Sequence, residues 1–270
     1  MSNPPDDSTL EQLQSSSALT FARSIFHAAE GKELFGQRFV FASAVSTYYS
    51  LFHLGAALML AYCSHPASAD DPHASIRKRL EEKWTKRQPR TLSNGEQYFA
   101  DPAGAIGHTD VPLFLERELP EISKSLGDRD RRGTLRDMRE FVSYAPRMVN
   151  DGHINVLYSG CQYEAKDFQS HLNQHIGRID QLFCSAVGWL RQGYNEISLR
   201  ILSGDFVLFE FAELRAYHPQ SVANRAFGIY RSICEQERVN WRIWRPDPEV
   251  VHMDESLRRK QYAKTLTSFQ

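Results

Sequence analysis

A mainly α-helical protein, built as a helical bundle with a small C-terminal α+β appendage, is predicted by three observations. The run from Phe39 to Tyr62 contains no Asp, Glu, Lys, Arg, Asn, Gln or Pro. Several other stretches repeat apolar residues at helical spacing between recognisable start and stop signals. After about residue 197 the texture changes: LRIL and FVLFEF flank Ser203-Gly204-Asp205, the pattern of a β-hairpin. The expected division is a bundle over residues 8–195 and an α+β unit over 196–270.

The uncharged run organises the rest. At helical rise it spans roughly 36 Å, long enough for a bilayer. Its polar residues argue for a different setting. Ser43, Ser46, Thr47, Tyr48, Tyr49, Ser50 and His53 load its first half and scatter around the helix. Basic residues are not concentrated on one flank, and no second span follows. The expectation is a central rod buried on most sides by neighbouring helices, in a cytoplasmic protein without a membrane partner.

The remaining elements follow in order. Ser8 and Glu11 form an S-x-x-E capping box, and Leu10, Leu13, Leu19, Ala22, Ile25, Phe26 and Ala29 make a helical stripe. Gly31 and Gly36 mark the turn into the central helix, which His65 and Pro66 end. Asp71 is an N-cap with Pro72 behind it, opening a charged helix over about 73–86. Residues 87–110 are turn-rich. A helix is expected over 111–126, another over 135–144 capped by Thr134 and Asp137 and stopped before Pro146, and a long one over 163–192. Residues 219–239 read as helix, and WRIW at 241–244 as a short strand.

Composition narrows the function classes. With 41% hydrophobic and 24% charged residues the chain is globular in type, and 32 basic against 33 acidic residues exclude a globally basic nucleic-acid binder. Local basic strips remain. Arg77, Lys78, Arg79, Lys83, Lys86, Arg87 and Arg90 form one, interrupted by Glu81 and Glu82; Arg129, Arg131, Arg132 and Arg136 form a second. Each reads either as a solvated helix face or as a phosphate-binding strip suited to RNA. The four cysteines are scattered and form no CxxC, as expected of reduced thiols. Asp167, His171 and His175 recur every four residues, but without a fourth ligand they read as a polar stripe, and neither a metal nor a cofactor is expected. His53 reads as a hydrogen-bonded core histidine. Tyr48 and Tyr49 are expected on different helix sides, at least one of them packing.

Two segments carry a resemblance. ALTFARSIFHAAEGKELF followed by SAVSTYYSLFHLGAALMLA is similar to the opening helices of HEPN-domain proteins, with Tyr48, Tyr49, Phe52 and His53 at the patterned positions and His73 opening the next helix. LRDMREFVSY resembles the L-x-x-x-R-x-x-A-D-Y segment of one HEPN branch; Arg139 and Tyr144 match, while Val142 and Ser143 replace Ala and Asp. The resemblance covers roughly residues 15–192. It implies a four- or five-helix bundle that homodimerises, and many members are metal-independent ribonucleases of toxin–antitoxin or antiviral systems. Their signature is Arg, four to six residues, then His. Imidazole moves a proton from a ribose 2′-OH near neutral pH, and guanidinium holds the phosphate.

Two pairs answer to that signature. Arg139-x4-Tyr144 has the helical position and a phenol in place of the imidazole; Arg147-MVNDG-His153 has the spacing but follows Pro146 and is expected off the helix. The resemblance therefore implies Arg139, Tyr144, Arg147 and His153 as candidate catalytic residues, and Arg77, Arg79, Lys83, Arg131, Arg132 and Arg136 as candidate RNA contacts. Two functions stay open: an effector that binds or cleaves RNA, and a non-catalytic module that docks an antitoxin or defence-system protein or a second copy.

Overall fold

The computed structural model describes residues 7–66, 68, 70–85, 90–91, 97–98, 102–127, 133–148, 165–203 and 220–237. The fold is mainly helical. Its first two helices, α1 (Asp7–Gly36) and α2 (Val40–Cys63), pack antiparallel along their length. α2 is the apolar run. By length and composition alone it could cross a membrane, and 83% of its most apolar window is buried inside the protein.

The α1–α2 contact is close because small residues line it. Ser17 Oγ donates to the Ala57 carbonyl at 2.8 Å and Ser43 Oγ to the Gly31 carbonyl at 2.7 Å. Each of these two buried hydroxyls is thus satisfied by a backbone oxygen of the facing helix, which offsets the cost of burying it. A Cβ on Gly31 would lie 2.5 Å from Thr47 Oγ1. Gly31 is therefore a packing glycine inside α1, not the turn expected there. The turn comes later, at Arg38, whose φ is 66°. Arg38 N–H donates to the Phe35 carbonyl and Phe39 N–H to the Leu34 carbonyl, the paired bonds of a Schellman stop with arginine where glycine usually stands.

Helix α3 (Ala74–Thr85) opens as the sequence predicts: Asp71 Oδ1 accepts the His73 N–H at 2.8 Å. A two-residue ladder, β1 (Arg90–Thr91) with β2 (Gln97–Tyr98), and a 3-10 turn at Pro102–Ala105 follow. The single helix expected over 111–126 is two, α4 (Asp110–Glu118) and α5 (Pro120–Leu126). Pro120 is the cause. It drives Leu119 out of the helical region, to φ −144° and ψ 74°, and then serves as the first residue of α5.

Helix α6 (Leu135–Met148) begins at the predicted cap, with Asp137 N–H donating to Thr134 Oγ1 at 3.4 Å. Its backbone runs through Pro146, so Arg147 lies on the helix, contrary to expectation. A proline in the last turn removes one N–H from the ladder without ending it. The long helix is α7 (Ala165–Gly193). Residues 195–203 form α8 (Asn195–Ser203), so LRIL is helical and not the first strand of a hairpin. Its Ile197 and Ile201 are buried at the 3–4 spacing of a helix packed on its neighbours. FVLFEF, WRIW and the tail lie outside the described residues. α9 (Gln220–Gln236) falls where predicted and lies along α1, its Val222, Ala226, Ile229 and Ile233 inward. Arg225 pairs with Glu33 of α1, and Lys32 of α1 pairs with Asp180 of α7 at 2.7 Å.

The core runs along α2. Phe21 of α1 meets Phe183 of α7 edge-to-face at 5.6 Å, and both are fully buried. Gly55 lets α4 approach α2: a Cβ there would lie 2.4 Å from Val111 Cγ1 and 2.8 Å from Leu115 Cδ1. Gly55→Val should lower unfolding free energy by about 1–3 kcal/mol through overpacking. Urea denaturation checks this, and an unchanged midpoint would deny the close contact.

Candidate functional site

The face of α2 toward α6 carries a cluster of rings. Tyr48, Tyr49, Phe52 and His53 are two i, i+4 pairs, so helical spacing alone stacks Tyr48 over Phe52 and Tyr49 over His53. The first pair lies at 6.2 Å and 13°, the second at 6.1 Å and 28°. α1 adds His27, stacked on His53 at 5.1 Å and 11°. The turn before α4 adds His108, stacked on Phe52 at 4.4 Å and 30°. Tyr48 and Phe52 are buried; Tyr49, His53 and His27 are half-buried, and His108 is exposed.

Arg139 of α6 sits over this cluster. Its guanidinium carbon is 5.3 Å from the Tyr48 ring centroid and 5.9 Å from that of Tyr49, and Nη2 donates to Tyr49 Oη at 3.4 Å. The two tyrosines, expected to face apart, share one cation. Tyr48 Oη and His108 Nδ1 are hydrogen-bonded at 2.8 Å. Arg139 and His108 therefore meet through one phenol. Burial raises the Tyr48 phenol to about 12 despite the nearby arginines. Partial burial, then the charges of Arg139 and Arg136, hold His108 below its ordinary value. At neutral pH the phenol keeps its proton and the imidazole is uncharged.

His108 is the residue that sequence reasoning missed. It lies in a turn, 31 positions before Arg139 in the chain, with no periodic signal to single it out. A histidine between Gly107 and the start of α4 was the one available cue. Asp110 reinforces that turn by accepting the Gly107 N–H at 3.0 Å.

The other sequence candidates divide. Tyr144 and Arg147 are placed by backbone only, on the last turn of α6. His153, Arg131 and Arg132 lie outside the described residues. Arg136 pairs with Glu140 at 3.2 Å beside the ring cluster. Arg79 pairs with Asp110, and Lys83 Nζ donates to the Ala105 carbonyl at 2.7 Å; both are solvent-facing. Arg77 is a correction. It is buried, and its donors turn inward to Asp71 Oδ2 at 2.8 Å and to the carbonyls of Tyr62, Cys63 and His65. Tyr62 and Cys63 close the last turn of α2 and His65 follows it, so Arg77 caps the end of α2 from inside the fold and does not face outward. His73, also buried, bonds Glu118 Oε1 at 2.8 Å, and Glu118 accepts Trp189 Nε1–H at 3.2 Å. On α7, His175 Nε2 donates to the Gly133 carbonyl at 2.7 Å. Among the described residues no group of three His, Cys, Asp or Glu side chains is placed to hold a metal ion.

Compared with known proteins, the chain matches no family model, no curated protein and no solved structure.

Proposed function

We propose that this protein is a HEPN-like effector of a toxin–antitoxin or anti-phage system that acts on RNA, with its phosphate site at Arg139. The observation that carries the reading is the meeting of Arg139 and His108 on Tyr48 in one partly open patch. A guanidinium supplies charge for a phosphodiester, and an uncharged imidazole can accept a proton. In cleavage, the 2′-oxygen attacks phosphorus and forms a cyclic phosphate. His108 takes the 2′-OH proton, the bond to the 5′-oxygen breaks, and water supplies the proton that this oxygen gains. In the tautomer with Nδ1–H donated to Tyr48 Oη, the Nε2 lone pair is the base. Charge comes from arginine, so the scheme requires no metal.

Arg139→Ala should weaken RNA binding similarly across sequences and reduce the slope of log affinity against log salt by about 1. Fluorescence anisotropy over a salt series measures it; an unchanged slope would remove Arg139 from the phosphate site.

A second reading, a non-catalytic module that docks a partner protein, has its own support. Arg139 already bonds Tyr49, and Phe39 and Phe41 at the start of α2 are 59% and 56% exposed. RNA binding that is absent in the wild type would favour this reading.

A further inference from the structure

We infer that the turn between α1 and α2 is a docking surface for a partner protein, and that the segment it takes carries a carboxylate between apolar side chains. The inference rests on the docking reading, whose exposed rings it uses, and is independent of the RNA chemistry at Arg139. Arg38 is its starting point. A φ of 66° is a conformation that glycine adopts freely and a residue with a Cβ adopts at a cost. Glycine would close α1 at least as well. Backbone strain of this kind gathers at functional positions. The exposed Arg38 side chain has no role inside the fold that would account for it. Glu33 is engaged by Arg225 and Gln37, Asp180 by Lys32, and among the described residues no carboxylate pairs with Arg38.

Beside this cation stand Phe39 and Phe41, both more than half exposed. Phe168 holds Phe41 edge-to-face at 5.4 Å and Phe141 meets it at 6.3 Å. The open side of the Phe41 ring is therefore fixed before a partner arrives, which lowers the entropy cost of covering it. Aromatic rings next to an arginine are the composition of an interface hot spot. The charge selects the occupant. A guanidinium takes a carboxylate through two parallel hydrogen bonds. A second copy docked on the same patch by two-fold symmetry would bring another Arg38 and no uncommitted carboxylate. A lipid surface needs several cations for stable attachment, and residues 36–41 carry one.

The test selects a displayed library of random peptides, about four helical turns in length, on the full chain, with Arg38→Gly as counter-selection. Enriched peptides should carry Asp or Glu flanked by apolar residues. By anisotropy they should bind wild type about tenfold tighter than Arg38→Gly, the value of one charge-assisted contact. Phe39→Ala should weaken them as well. Arg38→Gly should melt no lower than wild type, because glycine relaxes the left-handed backbone, so its loss of binding is not a loss of fold. Its RNA affinity should be unchanged; a tenfold drop there would make the turn an RNA contact and overturn the inference. Adhesion to phosphatidylserine vesicles that Arg38→Gly abolishes would assign the turn to lipid and overturn it too. Enriched peptides without acidic residues, or bound equally by Arg38→Gly, would overturn this surface and leave the docking reading standing on another face. A library that yields no binder to wild type would remove both.

Discussion

If the proposed RNA cleavage holds, replacing His108 by alanine should reduce it, measured in excess chelator, by about 10²–10⁴-fold, the usual contribution of one positioned acid–base group. His108→Phe should reduce it as much. The rate also carries a sign in pH. His108 sits below its ordinary value, so its base form fills early as pH rises. The rising limb of the wild-type profile should then fall below the ordinary histidine value of about 6.5. Cleavage by His108→Ala at the wild-type rate would exclude this residue as the base. Tyr48→Phe separates positioning from proton transfer: it keeps the ring under Arg139 and removes only the hydroxyl that orients the imidazole, so its effect should be smaller.

Arg77→Ala should lower unfolding free energy by about 3–5 kcal/mol, the cost of stranding the other member of a buried pair. The Asp71 side chain is 3% exposed and that of Arg77 8%, so water cannot replace the lost partner. Arg77→Lys recovers only part of the loss, since an ammonium cannot reach a carboxylate and three carbonyls in a fixed fork. Burial acts to raise the Asp71 carboxyl, but bonds from Tyr62, Arg77 and the His73 backbone outweigh it and hold it below the ordinary range. A carboxyl depressed in the folded state contributes its full stability above the unfolded value of about 4, and this is lost as pH falls toward the folded value. Denaturant midpoints from pH 6 downward should converge for wild type and Arg77→Ala. Parallel curves would show that the pair does not carry the linkage.

How much of this was legible in the sequence varies by residue. α2 was read to within a residue at each end, because a run without a single formal charge has few other places to go. Asp71, Thr134 and Asp137 were read as caps because capping is local chemistry. The helix read over 219–239 is α9, Gln220–Gln236. The misses are tertiary or a matter of competing local signals. Gly31 looked like a turn, and only the approach of Thr47 explains it as a contact glycine. Pro120 divides the single helix expected over 111–126, because it forces Leu119 out of the helical region. LRIL has β-like composition, but Ile197 and Ile201 bury on a helical period. The Arg139 half of the candidate site followed from the helix motif. Its counterpart His108 comes from a turn, and nothing in one dimension pairs a turn residue with a helix face. Arg77 looked like part of a basic strip because charge along a sequence does not say which side chains turn inward.

The ring cluster draws its members from four separate stretches of chain: α1, α2, the turn ahead of α4, and α6. No single element carries it whole. A nascent or half-assembled molecule holds the tyrosines without their cation, or the cation without its imidazole. Competence for the chemistry proposed here would thus wait on the docking of α6, the latest of the four in the chain.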